Sequence, residues 1–394
     1  MKCARPVRVL QIVDSLGMGG AETWLIEVLR LWSKSGAGRT DFLITGGKRG
    51  IFDDEARQLG AQLHYVRYGR AHLVRFVTEF RRILREGKYD AIHDHEDFAS
   101  GWHYLMGGAL PLVRVTHVHI PWIHIEENYA VSLSRRITAV VGKRLVLLLA
   151  THVCGTSEQV LRQYGFPLKE AGYPIVSTVH CGIDVGKFNA PREHDRESVL
   201  CEFLWPQESK IVLFAGRLDH AMEFDHPQNS KNSWFALNVV RAAMEKQPSI
   251  RFLMAGAGER SRQDLERCIE SWGLKDNLRL IGVRKDIDRL MRAADVLFFP
   301  SRQEGLGMVA VEAQAAGLPV LASTAVPREC VVIPELYSAL ALDEPIELWA
   351  AALLQIMTRP RPPLELCRRA LESSSFSIEN SARRLEEIYS SAQQ

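Results

Sequence analysis

The sequence is poor in the features that mark several common protein classes. Its seven cysteines stand at positions 3, 154, 181, 201, 268, 330 and 367, without a Cys-x-x-Cys pair. An odd, scattered set argues against a disulfide framework or a zinc knuckle and for a reducing compartment. The apolar run Leu145–Ala150 is far too short to cross a bilayer. The opening Met-Lys-Cys-Ala-Arg-Pro leads directly into Val7–Val13 and lacks the apolar region of a signal peptide, so a cytoplasmic location is expected. Excess charge is missing too: 49 Lys and Arg against 47 Asp and Glu leave +2, which makes no electrostatic case for nucleic acid. The full dinucleotide fingerprint, the P-loop Gly-Lys-[Ser/Thr] and the zinc-binding His-Glu-x-x-His are likewise absent.

What the chain does have is length and alternation. Its 394 residues, 46% hydrophobic and 24% charged, suffice for two soluble domains. Short apolar runs alternate with amphipathic helical stretches. The strand candidates are Val7–Val13, Phe42–Ile44, Ala91–Ile92, Val113–Val118 and Val153–Cys154, then Ile211–Ala215, Phe252–Ala255, Leu278–Ile281, Val296–Phe299 and Val320–Leu321. Apolar strands between helices predict α/β architecture with parallel, doubly wound sheets covered on both faces. The pattern restarts after the charge-dense stretch Ala190–Lys210, which reads as a linker. The expected domains are therefore 1–190 and 191–375, with 376–394 as a last amphipathic helix whose Leu385, Ile388 and Tyr389 share one side.

Ligands of such folds sit at strand carboxyl ends, and polar motifs follow several of these strands. The densest is Glu304-Gly-Leu-Gly-Met-Val-Ala-Val-Glu312, two carboxylates separated by seven residues around a glycine-rich turn into a helix. Such a turn suits an anion, and a neighbouring carboxylate suits sugar hydroxyls. Gly17-Met-Gly-Gly-Ala-Glu22 follows the first strand and is either a phosphate turn or a tight packing turn. Arg114-Val-Thr-His-Val-His119 ends another strand, with His117 and His119 on one side and Thr116 and Val118 on the other. His93 and His95 pose the same choice between ligand contact and structural hydrogen bonding. Two His-x-His pairs without a fixed third ligand do not establish a metal site. Arg217 and Lys231 are either a diphosphate clamp or two surface cations. Asp286-Ile-Asp288 resembles a metal-binding Asp-x-Asp, but its place at a helix start favours an N-cap. Basic clusters, Arg75 to Lys88 and Arg135 to Arg144, read as solvated faces, with peripheral contact to anionic lipid as an alternative.

In order, Gly17–Glu22, His119, Gly216-Arg217, Lys231-Asn232, Gly282-Val-Arg284 with Asp286, and Glu304-x7-Glu312 before Ala315-Ala-Gly-Leu-Pro319 resemble the family 4 retaining glycosyltransferases. The likeness is greatest to their exopolysaccharide branch and covers nearly the whole chain. The resemblance implies the GT-B fold: two facing Rossmann-like domains with the last helix crossing back to the first. It implies a nucleotide-sugar donor, UDP- or GDP-linked, held mainly by the C-terminal domain, and a glycan or lipid-linked acceptor on the N-terminal side. No resident cofactor and no metal are implied. Carried over, Arg217 and Lys231 would neutralise the donor diphosphate, Glu312 would take the ribose hydroxyls and Glu304 those of the sugar. Backbone groups of Gly305, Leu306, Gly307 and Met308, and of Gly19 and Gly20, would face phosphate and sugar. His119 would lie by the transferred sugar, and Arg284 would mark the turn against the base. Cations aimed at a leaving diphosphate act most as its charge grows. Residues 219–230 intervene between Gly-Arg-Leu and the lysine, which leaves open whether Lys231 reaches the site. Their His220, Glu223, Asp225 and His226 read as a solvent loop rather than metal donors. Acceptor contacts are expected around His93–Phe98 and Pro121–Tyr129. A nucleotide-sugar epimerase or hydrolase, or a non-catalytic nucleotide-sugar-binding scaffold, remain alternatives on the same fold.

Overall fold

A computed structural model of the protein describes residues 6–190, 193–219, 226 and 229–391. The chain divides into two compact units, Met1–Ile183 with Ser375–Gln394, and Asp184–Ser374. In the first unit the strands are β1 (Val7–Val13), β2 (Gly38–Ile44), β3 (Leu63–Tyr65), β4 (Ala91–Asp94), β5 (Val113–Val118), β6 (His152–Gly155) and β7 (Ile175–Thr178). They form one sheet in the order β3-β2-β1-β4-β5-β6-β7, with every neighbouring pair parallel. Val9, Leu10 and Ile12 of β1 are fully buried, as expected of a strand covered on both faces.

The helix Ile378–Ser390 belongs to this first unit and buries Leu385, Ile388 and Tyr389. Polar bonds fix its register against the helix Gly20–Ser35. Trp24 Nε1 donates to Ser381 Oγ at 2.9 Å, and Trp32 Nε1 donates to Glu386 Oε1 at 2.8 Å. Buried indole N–H groups need such acceptors, so the two tryptophans both fill the interface and specify its alignment.

The second unit repeats the plan with β8 (Lys210–Ala215), β9 (Ile250–Ala255), β10 (Leu278–Gly282), β11 (Val296–Phe299), β12 (Val320–Ser323) and β13 (Tyr337–Leu340). Their order is β10-β9-β8-β11-β12-β13, again parallel throughout. The helix Ser233–Lys246 packs Phe235, Leu237, Val239 and Val240 into the core.

Two sequence expectations need correction. The unit boundary falls at Ile183/Asp184 rather than 190/191. Asp184 caps the short helix Val185–Phe188 by accepting the Lys187 N–H, and Val185 and Phe188 are buried in the second unit. The stretch read as a linker carries the helix Glu193–Glu202. Its charges are engaged: Arg196 pairs with Asp295 at 3.1 Å, and Glu202 with Arg284 and Arg289. Ion pairing, not solvent exposure of a linker, accounts for the charge density. Three strands, β3, β7 and β13, were also not anticipated. All three lie at sheet edges, where Leu-His-Tyr, Ile-Val-Ser-Thr and Tyr-Ser-Ala-Leu carry too few apolar residues to show a two-sided core strand.

Candidate active site

The strand order of the second unit turns between β8 and β11, and connections leaving the two strands diverge there. Open α/β sheets bind ligands at such a switch point. Gly216-Arg217 follows β8, and Ser301 and Glu304 follow β11. The intervening segment contains His220, Glu223 and Asp225, which lie outside the described residues. Its described ends are anchored to the start of the helix Ser233–Lys246 and to the segment after β11. Asp219 Oδ2 accepts the Trp234 N–H at 2.8 Å, and the Ser230 carbonyl accepts the Arg302 N–H at 2.8 Å.

These anchors deliver Lys231 to Glu304. Lys231 Nζ donates to Glu304 Oε1 at 2.6 Å, and Ser301 Oγ donates to the same oxygen at 2.7 Å. Arg217 is close by, with its Nη2 3.5 Å from Ser230 Oγ. Glu304 is 8% exposed, so its charge is stabilised by these partners rather than by water. Ser301 had no prominence in the sequence; a serine after Phe298-Phe-Pro looks like any turn residue.

The turn Gly305–Met308 rises over β11 into the helix Met308–Ala315. Gly307 has φ +93°, and a Cβ there would stand 2.9 Å from Val326 Cγ1 and 3.1 Å from Phe299 Cε1. Only glycine satisfies both the backbone angle and the packing. The first helical turn holds no acidic residue, leaving its positive end available to an anion. Glu312 lies one turn further along the same face. Burial pushes its carboxyl up to about 7, with Lys187 opposing the rise and Asp288 adding to it.

Arg284 has a structural task as well. Its Nε and Nη2 bond the two oxygens of Asp286 at 2.8 Å each, and Nη1 bonds Glu202 at 2.8 Å. These bonds, Arg284 foremost, hold the Asp286 carboxyl well below the usual range. Asp286 thus occupies the N-cap position of the helix Ile287–Ala293 without capping it; its carboxylate serves Arg284 and Arg289 instead. Asp288 pairs with Arg292 at 3.0 Å. The Asp-x-Asp carboxylates are therefore occupied by arginines.

In the first unit, Gly19 is the N-cap of the helix Gly20–Ser35, and a Cβ on it would collide with the Glu22 carboxylate. Burial, reinforced by Asp14, raises that carboxyl despite a bond to its own backbone. Strand alternation places His93, His95, His117 and His119 together. His93 and His117 stack at 5.3 Å with ring planes 7° apart, and His117 and His119 stack at 4.2 Å. Trp24 meets His93, His95 and His117 edge-on. His93 Nδ1 is 2.5 Å from Tyr389 Oη, and His95 bridges His119 Nε2 and Gln11 Oε1, each at 2.9 Å. Burial lowers all four imidazoles, His119 to about 3, so the stack is neutral at ordinary pH.

The pairwise reading of the histidines missed this convergence: one nitrogen from each of His93, His95 and His117 lies within 4.8 Å of the others. His95 already uses both nitrogens, on His119 and Gln11. His119 is also fixed through its backbone. Asp97 Oδ1 accepts the N–H groups of His119 and Ile120 at 2.8 and 3.2 Å. Asp97, with φ +50°, lies in the segment His93–Phe98 expected to contact the acceptor, and its bonds to the backbone at His119 could not be read from the sequence.

Comparison with known proteins bears on the family and the fold. The family described as Glycosyltransferase Family 4 matches residues 18–187, and Glycosyl transferases group 1 matches residues 209–359. EpsF of Bacillus subtilis (strain 168), assigned as a glycosyltransferase, is 29% identical over 389 residues, covering 97% of this chain and 96% of that protein. The structure of Anabaena HepE in complex with UDP and glucose aligns with a TM-score of 0.76 at 18% identity, covering 98% and 100% of the two chains. Sucrose-phosphate synthase from Thermosynechococcus elongatus aligns with a TM-score of 0.74 at 20% identity, covering 98% and 99%.

Proposed function

We propose that this chain, which belongs to the family 4 glycosyltransferases, transfers a sugar from a UDP-linked donor to a glycan or lipid-linked acceptor, with retention at the anomeric carbon and without a metal ion. The observation that carries the reading is the Lys231–Glu304 pair beside Arg217 at the switch point of the second sheet. A diphosphate entering there gains Lys231 and Arg217 as counter-charges, which stabilise it most as the glycosidic bond breaks. Glu304, released from Lys231, accepts hydrogen bonds from sugar hydroxyls. UDP is preferred to GDP because the structurally similar HepE was solved with UDP. Metal independence is supported by the arginines that occupy Asp286 and Asp288. NMR of the product should show the donor's anomeric configuration and EDTA should leave the rate unchanged; inversion or loss of activity would reject the corresponding part. Donor isomerised or hydrolysed without any acceptor would favour the epimerase or hydrolase alternative.

Glu312 gives the donor site a pH dependence. A carboxylate accepting ribose hydroxyls must be ionised. With its carboxyl at about 7, the ionised fraction falls as pH drops through that value. UDP affinity should therefore decrease about tenfold between pH 8 and pH 6 beyond the change in Glu312→Gln. Calorimetric titration of both proteins checks this, and parallel profiles would remove Glu312 from the ribose site.

A peripheral membrane contact is part of the same proposal. The helix Leu133–Leu149 exposes Leu133, Ile137 and Leu148 beside Arg135, Arg136 and Arg144. Among the described residues no helix is long and apolar enough to cross a membrane. Salt-sensitive cosedimentation with anionic but not neutral vesicles would support the contact, and equal recovery without vesicles would refute it.

A further inference from the structure

A second polar cleft, about 500 Å³, lies wholly within the first unit, and the donor site makes no use of it. It sits at the carboxyl ends of β1 to β4, lined among others by Asp14, Thr45, Lys48, Arg49, Arg67 and Glu96. The loop Thr45-Gly-Gly-Lys-Arg-Gly50 shapes it. A Cβ on Gly46 would stand 2.7 Å from the Asp14 carbonyl oxygen, and one on Gly50 would overlap the Leu16 carbonyl. Gly47 has φ +66° and would bring a Cβ within 3.0 Å of Arg67 Cβ. The loop is thereby pressed against the segments after β1 and β3, so that Lys48, Arg49 and Arg67 share one cleft.

The cations are not equivalent. Arg49 pairs with Asp54 at 2.5 Å, whereas Lys48 and Arg67 have no ion-pair partner among the described residues. Beneath them the acidic side is held in place. Glu96 accepts a hydrogen bond from Thr45 Oγ1, and its N–H donates to Asp94 Oδ1 at 3.0 Å. Asp94 Oδ2 is 2.7 Å from His103 Nδ1, with both side chains fully buried. Two cations without an ion-pair partner match a phosphate, while the held carboxylate of Glu96, with Asp14 also in the lining, matches hydroxyls. The volume suits a small ligand of sugar size.

We propose that this cleft binds the acceptor as a phosphate-bearing sugar or polyol. Lys48 and Arg67 hold the phosphate, and Glu96 and Asp14 accept hydrogen bonds from hydroxyls. The assignment of the ligand as acceptor rests on the glycosyltransferase reading above. A soluble sugar phosphate and the diphosphate of a lipid-linked glycan share this chemistry.

The test is calorimetric titration of the full chain saturated with UDP, using glucose 6-phosphate, glucose, and a polyprenyl-diphosphate-linked sugar in detergent micelles. At least one phosphate probe should bind at least tenfold tighter than glucose. Lys48→Ala/Arg67→Ala should weaken it at least tenfold while UDP affinity is retained. Preference for glucose 6-phosphate identifies a soluble acceptor, and preference for the micellar probe a lipid-linked one. Glucose binding as well as its phosphate, neither phosphate probe binding, or the double variant retaining affinity would overturn the proposal. Failure of UDP itself to bind would instead count against the donor reading, and the sensitivity of the phosphate probes to Lys48 and Arg67 would still decide this one.

Discussion

Lys231→Ala and Glu304→Ala should each lower turnover by about 10²–10³-fold while the fold persists. In the resting site the two residues neutralise each other across 2.6 Å. With donor bound, the proposed roles separate: the ammonium turns to the diphosphate and the carboxylate to the sugar. Either truncation removes a group acting on the reacting part of the donor, so kcat should fall more than KM changes. Stability should respond unequally. The side chains are 27% and 7% exposed, respectively. Lysine left alone can reach water, whereas glutamate left alone is a buried charge. Removing one partner of a buried pair costs about 3–5 kcal/mol, and Lys231→Ala should approach that range while Glu304→Ala falls below it. The double variant Lys231→Met/Glu304→Gln should regain stability but not activity. Urea denaturation with steady-state kinetics tests both statements. Near wild-type turnover in both single variants would dismantle the residue assignment.

The pair also shows how far residue order can be read. Glu304 stands in a conspicuous block, and the strand before it is a continuous apolar run. Lys231 follows a segment with no pattern, and only the anchoring of Asp219 and Ser230 brings it back to Glu304. Core strands were legible because burial on two faces demands unbroken apolar runs; the edge strands β3, β7 and β13 were not, because an edge makes no such demand and, unlike the edge strand β10, they carry few apolar residues. Alternation along β5 correctly placed His117 and His119 on one face. The meeting of four histidines with Trp24 and Tyr389 depends on parallel register and on a helix nearly three hundred residues away from His93, neither of which is local. Arg284 marks a turn in the motif, and what its residue type does not announce is that its guanidinium is bonded to Asp286 and Glu202. The Thr45–Gly50 loop carries no signal in the sequence, because glycines beside two basic residues look like an ordinary surface turn.

Gly256→Ala should destabilise the second unit by about 3 kcal/mol or more and displace Arg217. Gly256 follows β9 with φ +153°, and a Cβ there would overlap the carbonyl oxygen of Gly216. That carbonyl belongs to the turn carrying Arg217. The two turns are laced by backbone bonds: Gly216 N–H to the Ala255 carbonyl at 2.9 Å, and Leu218 N–H to the Ala257 carbonyl at 2.7 Å. Alanine therefore meets two obstacles, an unfavourable backbone angle and a rigid obstructing group that cannot move without breaking those bonds. Gly273→Ala separates them. Gly273 has φ +69° but open space around its Cβ direction, so it should lose only the backbone contribution, about 1–2 kcal/mol. The excess loss at Gly256 measures the collision. If the Arg217 turn moves in response, UDP affinity should fall in Gly256→Ala at temperatures where the variant remains folded, and stay unchanged in Gly273→Ala. Equal stability losses in the two variants would mean that β8 and β9 can separate without cost, and unchanged UDP affinity would place Arg217 outside the diphosphate site.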